Sequence, residues 1–319
     1  MMPQHTLSLS SIAAKAISTV MVGWCLFAVG AFSAPLNETQ TAPPRIITAG
    51  GSITEIVFAL GRGDWVIATD STSMFPQEAA SLTKLGYFRQ LSTEGVLAQQ
   101  PTMLLGAEAA GPSVALEQIA HAGVDVTTFD VDKNLSGLKA LVIDIGKKLA
   151  SSEQAIELIH HIEKKVEQQK ARYADKTSAF NTQIKALFVV ANNDRGITVA
   201  GRDTVPQALF DTLGIVNIGS AVEGYKVMDA ESVLMQNPDV VIAAGHMLRG
   251  KSAKEALCTH HALAATFAGK HCLVEAMDSS ISLGLSPRFH VALQHVAEYA
   301  EKAIEIKQTQ KAAYSGTSQ

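Results

Sequence analysis

Short apolar runs alternate with amphipathic stretches along most of this chain, and glycine or proline punctuates the joins. Arg45-Ile46-Ile47-Thr48-Ala49 has the β-branched content of a strand. The turn Gly50-Gly51-Ser52 follows, and Thr54 to Leu60 then has helical spacing that Gly61 stops. Trp65–Thr69, Pro101–Gly106 and Val124–Phe129 read as further strands, each preceded by a helical segment. Repeated βα units with short connections predict a parallel sheet covered by helices on both faces. Ligands of such sheets sit beyond the strand C-termini, so the segment Gly106 to Pro112, with Gly111, is predicted to wall a pocket.

From Leu135 to Ala174 the pattern becomes almost unbroken helix, with a joint near Ser151-Ser152. Ala155, Ile159, Ile162 and Val166 form one apolar stripe opposite a charged face, the pattern of a packed connector. The βα rhythm then restarts. Lys185–Val190 reads as a strand, Val205–Leu213 as a helix, Asp239–Ala244 and His271–Ala276 as strands, and Pro287–Gln308 as a closing helix. The local signals Gln99-Gln100-Pro101 and Gln236-Asn237-Pro238 each precede an apolar strand, so the two halves echo one another. The expected organisation is a signal peptide (1–33), a flexible leader (34–44), an N-terminal α/β lobe (45–150), a connecting helix (151–175), a C-terminal α/β lobe (176–308) and a flexible tail (309–319).

The signal reading comes from Ala16 to Ala31, an uncharged apolar run that follows Lys15, leads into small residues and is short for a membrane span. Cys25 lacks the small preceding residue of a lipid-modified cysteine. Without that segment Cys258 and Cys272 remain, an even count that admits a disulfide in an oxidising compartment. His260, His261 and His271 beside them invite a metal reading, but their spacing fits no zinc pattern well. With 26 basic and 30 acidic residues in a chain of 319, and a net charge of −4, there is no nucleic-acid footprint and no polybasic membrane patch. The motifs of common hydrolases, G-x-S-x-G and H-E-x-x-H, do not occur, nor does a catalytic cysteine pair, so the chain reads as a non-enzyme.

The chemistry concentrates in Gly86-Tyr87-Phe88-Arg89-Gln90-Leu91-Ser92-Thr93-Glu94-Gly95, a loop leading into a helix that Ser92 or Thr93 can cap. A phenol titrates near pH ~10 in water, so a tyrosine serving as an anionic ligand at neutral pH needs a nearby cation, and Arg89 stands two residues on. Tyrosinate suits ferric iron, haem iron included. The plainer alternative is a surface-loop tyrosine with Arg89 paired to Glu94.

This stretch, with Gly50-Gly51-Ser52-Ile53-Thr54-Glu55-Ile56, Val199-Ala200-Gly201, Glu223-Gly224-Tyr225-Lys226 and Ser286-Pro287-Arg288, resembles the periplasmic haem-binding proteins of bacterial haem ABC importers. Those belong to the cluster that also holds the vitamin B12 and siderophore binders, and the resemblance spans residues 45–308. It implies two Rossmann-like lobes with parallel sheets, joined by a long α-helix, in a periplasmic protein that carries ferric haem b to an inner-membrane ABC permease and its ATPase. An outer-membrane haem receptor system is a further implied partner. Tyr87 would be the axial ligand and Arg89 its hydrogen-bonding support. Some relatives place a histidine in the loop after the first strand of the second lobe; here that loop reads Ala191-Asn192-Asn193-Asp194-Arg195-Gly196 and has none. Ser52, Gly111, Asn192, Asn193, Arg195, His246 and Arg288 are candidate haem contacts, and Glu55 and Glu231 the expected permease-docking carboxylates. The rival ligand on the same fold is a ferric siderophore or a corrinoid.

Overall fold

The computed structural model describes residues 43–178, 183–193, 196–248 and 251–316; the signal segment, most of the leader and Arg195 lie outside the described residues. The first lobe runs through β1 (Ile46–Ala49), α1 (Gly51–Ala59), β2 (Val66–Thr69), α2 (Gln77–Ala80), β3 (Thr83–Lys84), α3 (Thr93–Leu97), β4 (Met103–Ala107), α4 (Ser113–His121), β5 (Asp125–Phe129) and α5 (Leu135–Lys148). Its sheet has the order β3-β2-β1-β4-β5, parallel throughout. Successive side chains of β1 point to opposite faces. Ile46 therefore packs under α1 and α5, while Ile47 joins Leu91, Val96, Leu104 and Ile119 on the other side.

A single long helix, α6 (Ser152–Thr177), carries the chain into the second lobe. Its 26 residues span ~39 Å at the usual helical rise. The turn before it is tight, for a Cβ on Gly146 of α5 would lie 2.6 Å from that of Ala155. The second lobe comprises β6 (Lys185–Asn193), β7 (Gly196–Ala200), α7 (Val205–Leu213), β8 (Val216–Asn217), β9 (Tyr225–Met228), α8 (Ala230–Gln236), β10 (Val240–Ala244), α9 (Lys251–Cys258), α10 (Phe267–Lys270), β11 (Val274–Met277), α11 (Ser279–Ser282) and α12 (Phe289–Gly316). Helix α12 runs past the expected end at Gln308.

The α/β two-lobe architecture matches the sequence expectation, with one correction. The second sheet, β11-β10-β6-β7-β9 with β8 beside β6, is mixed: β7 runs antiparallel to both β6 and β9. The segment expected as a loop at Ala191–Gly196 belongs to a hairpin in which Asn192 pairs with Ile197 and Asn193 with Gly196. So short a connection leaves no room for the crossover that a parallel neighbour needs. Gly196, at φ 152°, has the glycine-favouring backbone of such a reversal, and a Cβ there would meet the Met228 carbonyl oxygen at 2.6 Å.

The second lobe is fastened in two further ways. A disulfide joins Cys258, at the end of α9, to Cys272, with Cα atoms 5.2 Å apart. Helix α12 packs along α6, and there the rings of His290 and His161 lie edge to face with centroids 6.3 Å apart. Burial pushes the pKa of His290 below the ordinary 6.5; its bond to the Pro287 carbonyl opposes the shift, and the nearby His161 and Lys165 add to it. A depressed folded pKa makes the folded chain resist protonation. This contribution to stability is therefore intact above 6.5 and is lost as pH falls below that value. Melting curves at about pH 7.5 and about pH 5.5 are expected to show a smaller acid-induced drop for His290→Gln than for the parent.

Candidate functional site

The ten-residue motif lies at the C-terminal edge of the first sheet and is pinned at both ends. Ser71 donates its N–H to the Gly86 carbonyl at 2.7 Å, Leu91 to the Gly111 carbonyl at 2.7 Å, and Gly111 to the Phe88 carbonyl at 2.9 Å. Gly86 takes φ 86°, which turns the chain into Tyr87. Phe88–Gln90 forms one 3-10 turn, and Ser92 caps α3 by accepting from Gly95 N–H at 3.3 Å. Tyr87 is 42% exposed, which is unusual for so large a ring, and sits edge to face on Phe88 with centroids 4.8 Å apart. The Arg89 guanidinium lies 5.4 Å from the Phe88 ring. Gly111 itself is buried, and its backbone groups are spent on holding the motif.

The charge of Arg89 is felt by Tyr225, at the start of β9 in the other lobe. Crowding of that phenol by protein atoms drives its pKa up to about 12; Arg89 pulls it back, and Asp203 pushes it further up. Tyr225 is nonetheless 44% exposed and Val227, two residues along the strand on the same face, 52%. Its position is set by pairing with Ala200, and the neighbouring turns interlock: Gly201 N–H donates to the Gly224 carbonyl at 2.8 Å and Gly224 N–H to the Arg202 carbonyl at 2.8 Å. A Cβ on Gly201 would lie 2.1 Å from the Val222 carbonyl oxygen, so only glycine fits. This is why Val199-Ala200-Gly201 and Glu223-Gly224-Tyr225-Lys226 go together. A polar groove of about 460 Å³ lies beside them, between Asp132–Ser136 of the first lobe and Asp203–Thr212 of the second.

A buried polar cluster shapes the turn at the end of β1. Asp70 accepts from Gly50 N–H at 3.0 Å, Thr72 N–H at 2.9 Å and the hydroxyls of Thr72 and Ser73 at 2.6 Å each. Lys84 is partly buried and donates to Thr69 Oγ1, the Ser73 carbonyl and the Ala79 carbonyl, which anchors the same loop. The turn so formed brings Ser52 against Gly284 of the second lobe.

Three residues with sequence-predicted roles have their side chains engaged elsewhere in this arrangement. Glu55 is 4% exposed, and both its carboxylate oxygens accept from Arg288, so it presents no carboxylate for docking; Arg288, spent on that pair, is not a free ligand contact either. His246 has both ring nitrogens engaged, Nδ1 with Ser279 Oγ and Nε2 with the Val190 carbonyl, each at 3.0 Å. Its ring ties β6 to α11 and offers no nitrogen to a metal. Asn192 is an exposed strand residue, and Asn193 shares its strand. Glu231 is exposed in the first turn of α8, behind the cap Asp229, which accepts from Ser232 N–H at 2.8 Å. The equivalent acid of the first lobe is Glu94, exposed in the first turn of α3 behind the cap Ser92. Glu94 and Glu231 each stand seven residues before a proline, Pro101 and Pro238, a spacing that the sequence carries. Among the described residues no group of three or more His, Cys, Asp or Glu side chains is placed to hold a metal ion.

The model of the family described as "Periplasmic binding protein" matches residues 46–280. The chain belongs to the periplasmic binding protein family. Family members are substrate-binding proteins of ABC transport, and this one is of the haem, vitamin B12 and siderophore type. Among solved structures, the periplasmic heme-binding protein RhuT from Roseiflexus sp. RS-1 superposes with a TM-score of 0.74 at 29% identity, over 82% of this chain and 99% of that one. A periplasmic heme-binding protein from Pseudomonas aeruginosa gives 0.75 at 30% identity, over 82% and 94%. Among curated relatives, the vitamin B12-binding protein of Vibrio parahaemolyticus is 25% identical over 232 residues, covering 70% of this chain and 78% of the relative. An uncharacterised ABC transporter substrate-binding lipoprotein of Bacillus subtilis, YvrC, is 24% identical over 260 residues, covering 80% and 79%.

Proposed function

We propose that this periplasmic binding protein captures one ferric haem between its lobes, with the phenolate of Tyr87 as axial ligand, and hands it to an inner-membrane ABC permease. The observation that carries this reading is the exposed Tyr87 ring on a motif loop held at both ends by backbone hydrogen bonds. A pinned loop presents its oxygen donor at little ordering cost when the ligand arrives. Tyr87, Tyr225 and Val227 supply exposed apolar area suited to a flat macrocycle, and Arg89 is the cation at hand to favour a phenolate or meet a propionate. Arg195 remains a candidate propionate partner. The solved haem binders among the similar structures favour haem over a corrinoid. The test is a titration of the purified protein with haemin, cyanocobalamin and a ferric siderophore, followed by absorbance. Haemin is expected to give a saturable high-spin ferric spectrum at one equivalent, and saturation by either rival alone would reverse the assignment.

Docking is assigned to Glu94 and Glu231 as partners for arginines of the permease. Their helices occupy equivalent places in the two lobes, each leading into the strand beside the lobe's first, and both carboxylates are exposed. In cells that depend on this importer for haem iron, Glu94→Ala and Glu231→Ala are each expected to slow uptake severalfold while leaving haemin binding unchanged. Normal uptake by the double variant would contradict the assignment. The periplasm is the compartment in which such docking takes place.

A further inference from the structure

The chain passes between the lobes once, through α6, yet the lobes are tied at a second place. Arg288, just ahead of α12, reaches Glu55 of α1 with a forked pair of bonds: Nε donates to Oε2 at 2.9 Å, and Nη2 donates to Oε1. Nη2 also donates to Ser280 Oγ at 2.9 Å, and the guanidinium carbon stands 4.1 Å from the centre of the Phe75 ring. The pair is nearly dry, with side-chain exposures of 3% for Glu55 and 20% for Arg288. Next to it Gly284 packs so closely on the turn after β1 that a Cβ would come within 2.8 Å of Ser52 Oγ. Ser52, Glu55 and Phe75 of the first lobe thus meet one segment of the second, residues 280–288.

We propose that Glu55 and Arg288 form a latch that fixes the separation of the lobes and so sets how long the cleft retains its ligand; the retention clause rests on reading the cleft as the haem site. Each half of the latch is built into the rim of its own sheet, for α1 follows β1 directly and the 280–288 segment follows β11. The groove of about 350 Å³ around the pair is lined mainly by Phe58, Ala59, Phe75, Pro76 and Pro287, with Glu78 as its one other charged residue. If the lobes part, Glu55 is left among apolar groups and a second acid, with no replacement cation in that lining. Parting is therefore disfavoured until water or a partner's cation reaches Glu55. The arrangement assigns Arg288 to positioning instead of ligand contact.

The test combines small-angle X-ray scattering of the protein alone with the rate at which haemin is lost to excess apomyoglobin. Glu55→Gln and Arg288→Gln are each expected to increase the maximum dimension and to speed haemin loss about tenfold, because each leaves one buried group without its charged partner and releases the tie between the lobes. The double variant E55Q/R288Q is expected to be little worse than either single change, since both remove the same interaction. Unchanged scattering and unchanged release in folded single variants would overturn the latch, and so would effects that simply add. Should either charge variant fail to fold by circular dichroism, Ser280→Ala and Phe75→Leu carry the test. Each is expected to shift both readouts in the same direction by a smaller factor, and no shift would sink the proposal. If the variants expand but the parent binds no haemin, the tie between lobes stands and the haem reading falls.

Discussion

Replacing Tyr87 with phenylalanine is expected to abolish the high-spin ferric haem spectrum and to weaken haemin binding by more than any other single change in the cleft. The substitution removes one oxygen and keeps the ring, so the edge contact with Phe88 and the pinned loop are retained. Partners one step removed from a metal already account for about 10- to 100-fold in affinity, and loss of the ligand itself should exceed that. Arg89→Ala is expected to do less: it leaves the donor in place but removes a cation beside the motif whose charge reaches Tyr225, so binding should weaken. Spectrophotometric titration of the three proteins decides the matter. A Tyr87→Phe protein that kept the parental spectrum and affinity would move the ligand elsewhere, and Tyr225 would be the first residue to examine.

The second large effect concerns stability. Changing Cys258 and Cys272 together to serine is expected to lower the unfolding free energy by ~3 kcal/mol, the chain-entropy value for a closed loop of about 15 residues. The bond spans 14 positions and clamps the end of α9 to the turn entering β11, with Cys258 only 5% exposed. Urea unfolding of the purified protein should show the lower midpoint, and the same shift should follow reduction of the parent by dithiothreitol. The pair lies away from Tyr87 in sequence and sheet, so haemin affinity at low temperature is expected to be unaltered.

Much of the scaffold was legible in the chain because its local signals are strong and agree. Helix α7 is the clearest case. Thr204 caps it by accepting from Gln207 N–H, Pro206 stands in its first turn, and Gly214 closes it in the left-handed conformation, so both ends are written into neighbouring residues. The buried strands β1, β4 and β10 announce themselves as apolar runs. By contrast β9 is exposed at three of its four residues, so no alternation marks it, and its place depends on pairing with β7 at a distance along the chain. The exposure of Tyr225 could not be read from the chain for that reason. The Glu55–Arg288 bond joins residues 233 positions apart, and no periodicity records such a meeting. An acid near a helix start looks the same in sequence whether it faces solvent, as Glu94 does, or an arginine from the other lobe, as Glu55 does.

The larger of the two apolar clusters does not stop at the lobe boundary. It runs from Ile46 and Ile56 under the first sheet, through Leu141, Ile145, Ile162 and Val166 on α5 and α6, to Phe188, Leu209 and Val296 in the second. Neither half owns a finished interior. A chain cut at the connector would leave each fragment with a raw oily flank, so the two halves are expected to melt together as one cooperative body.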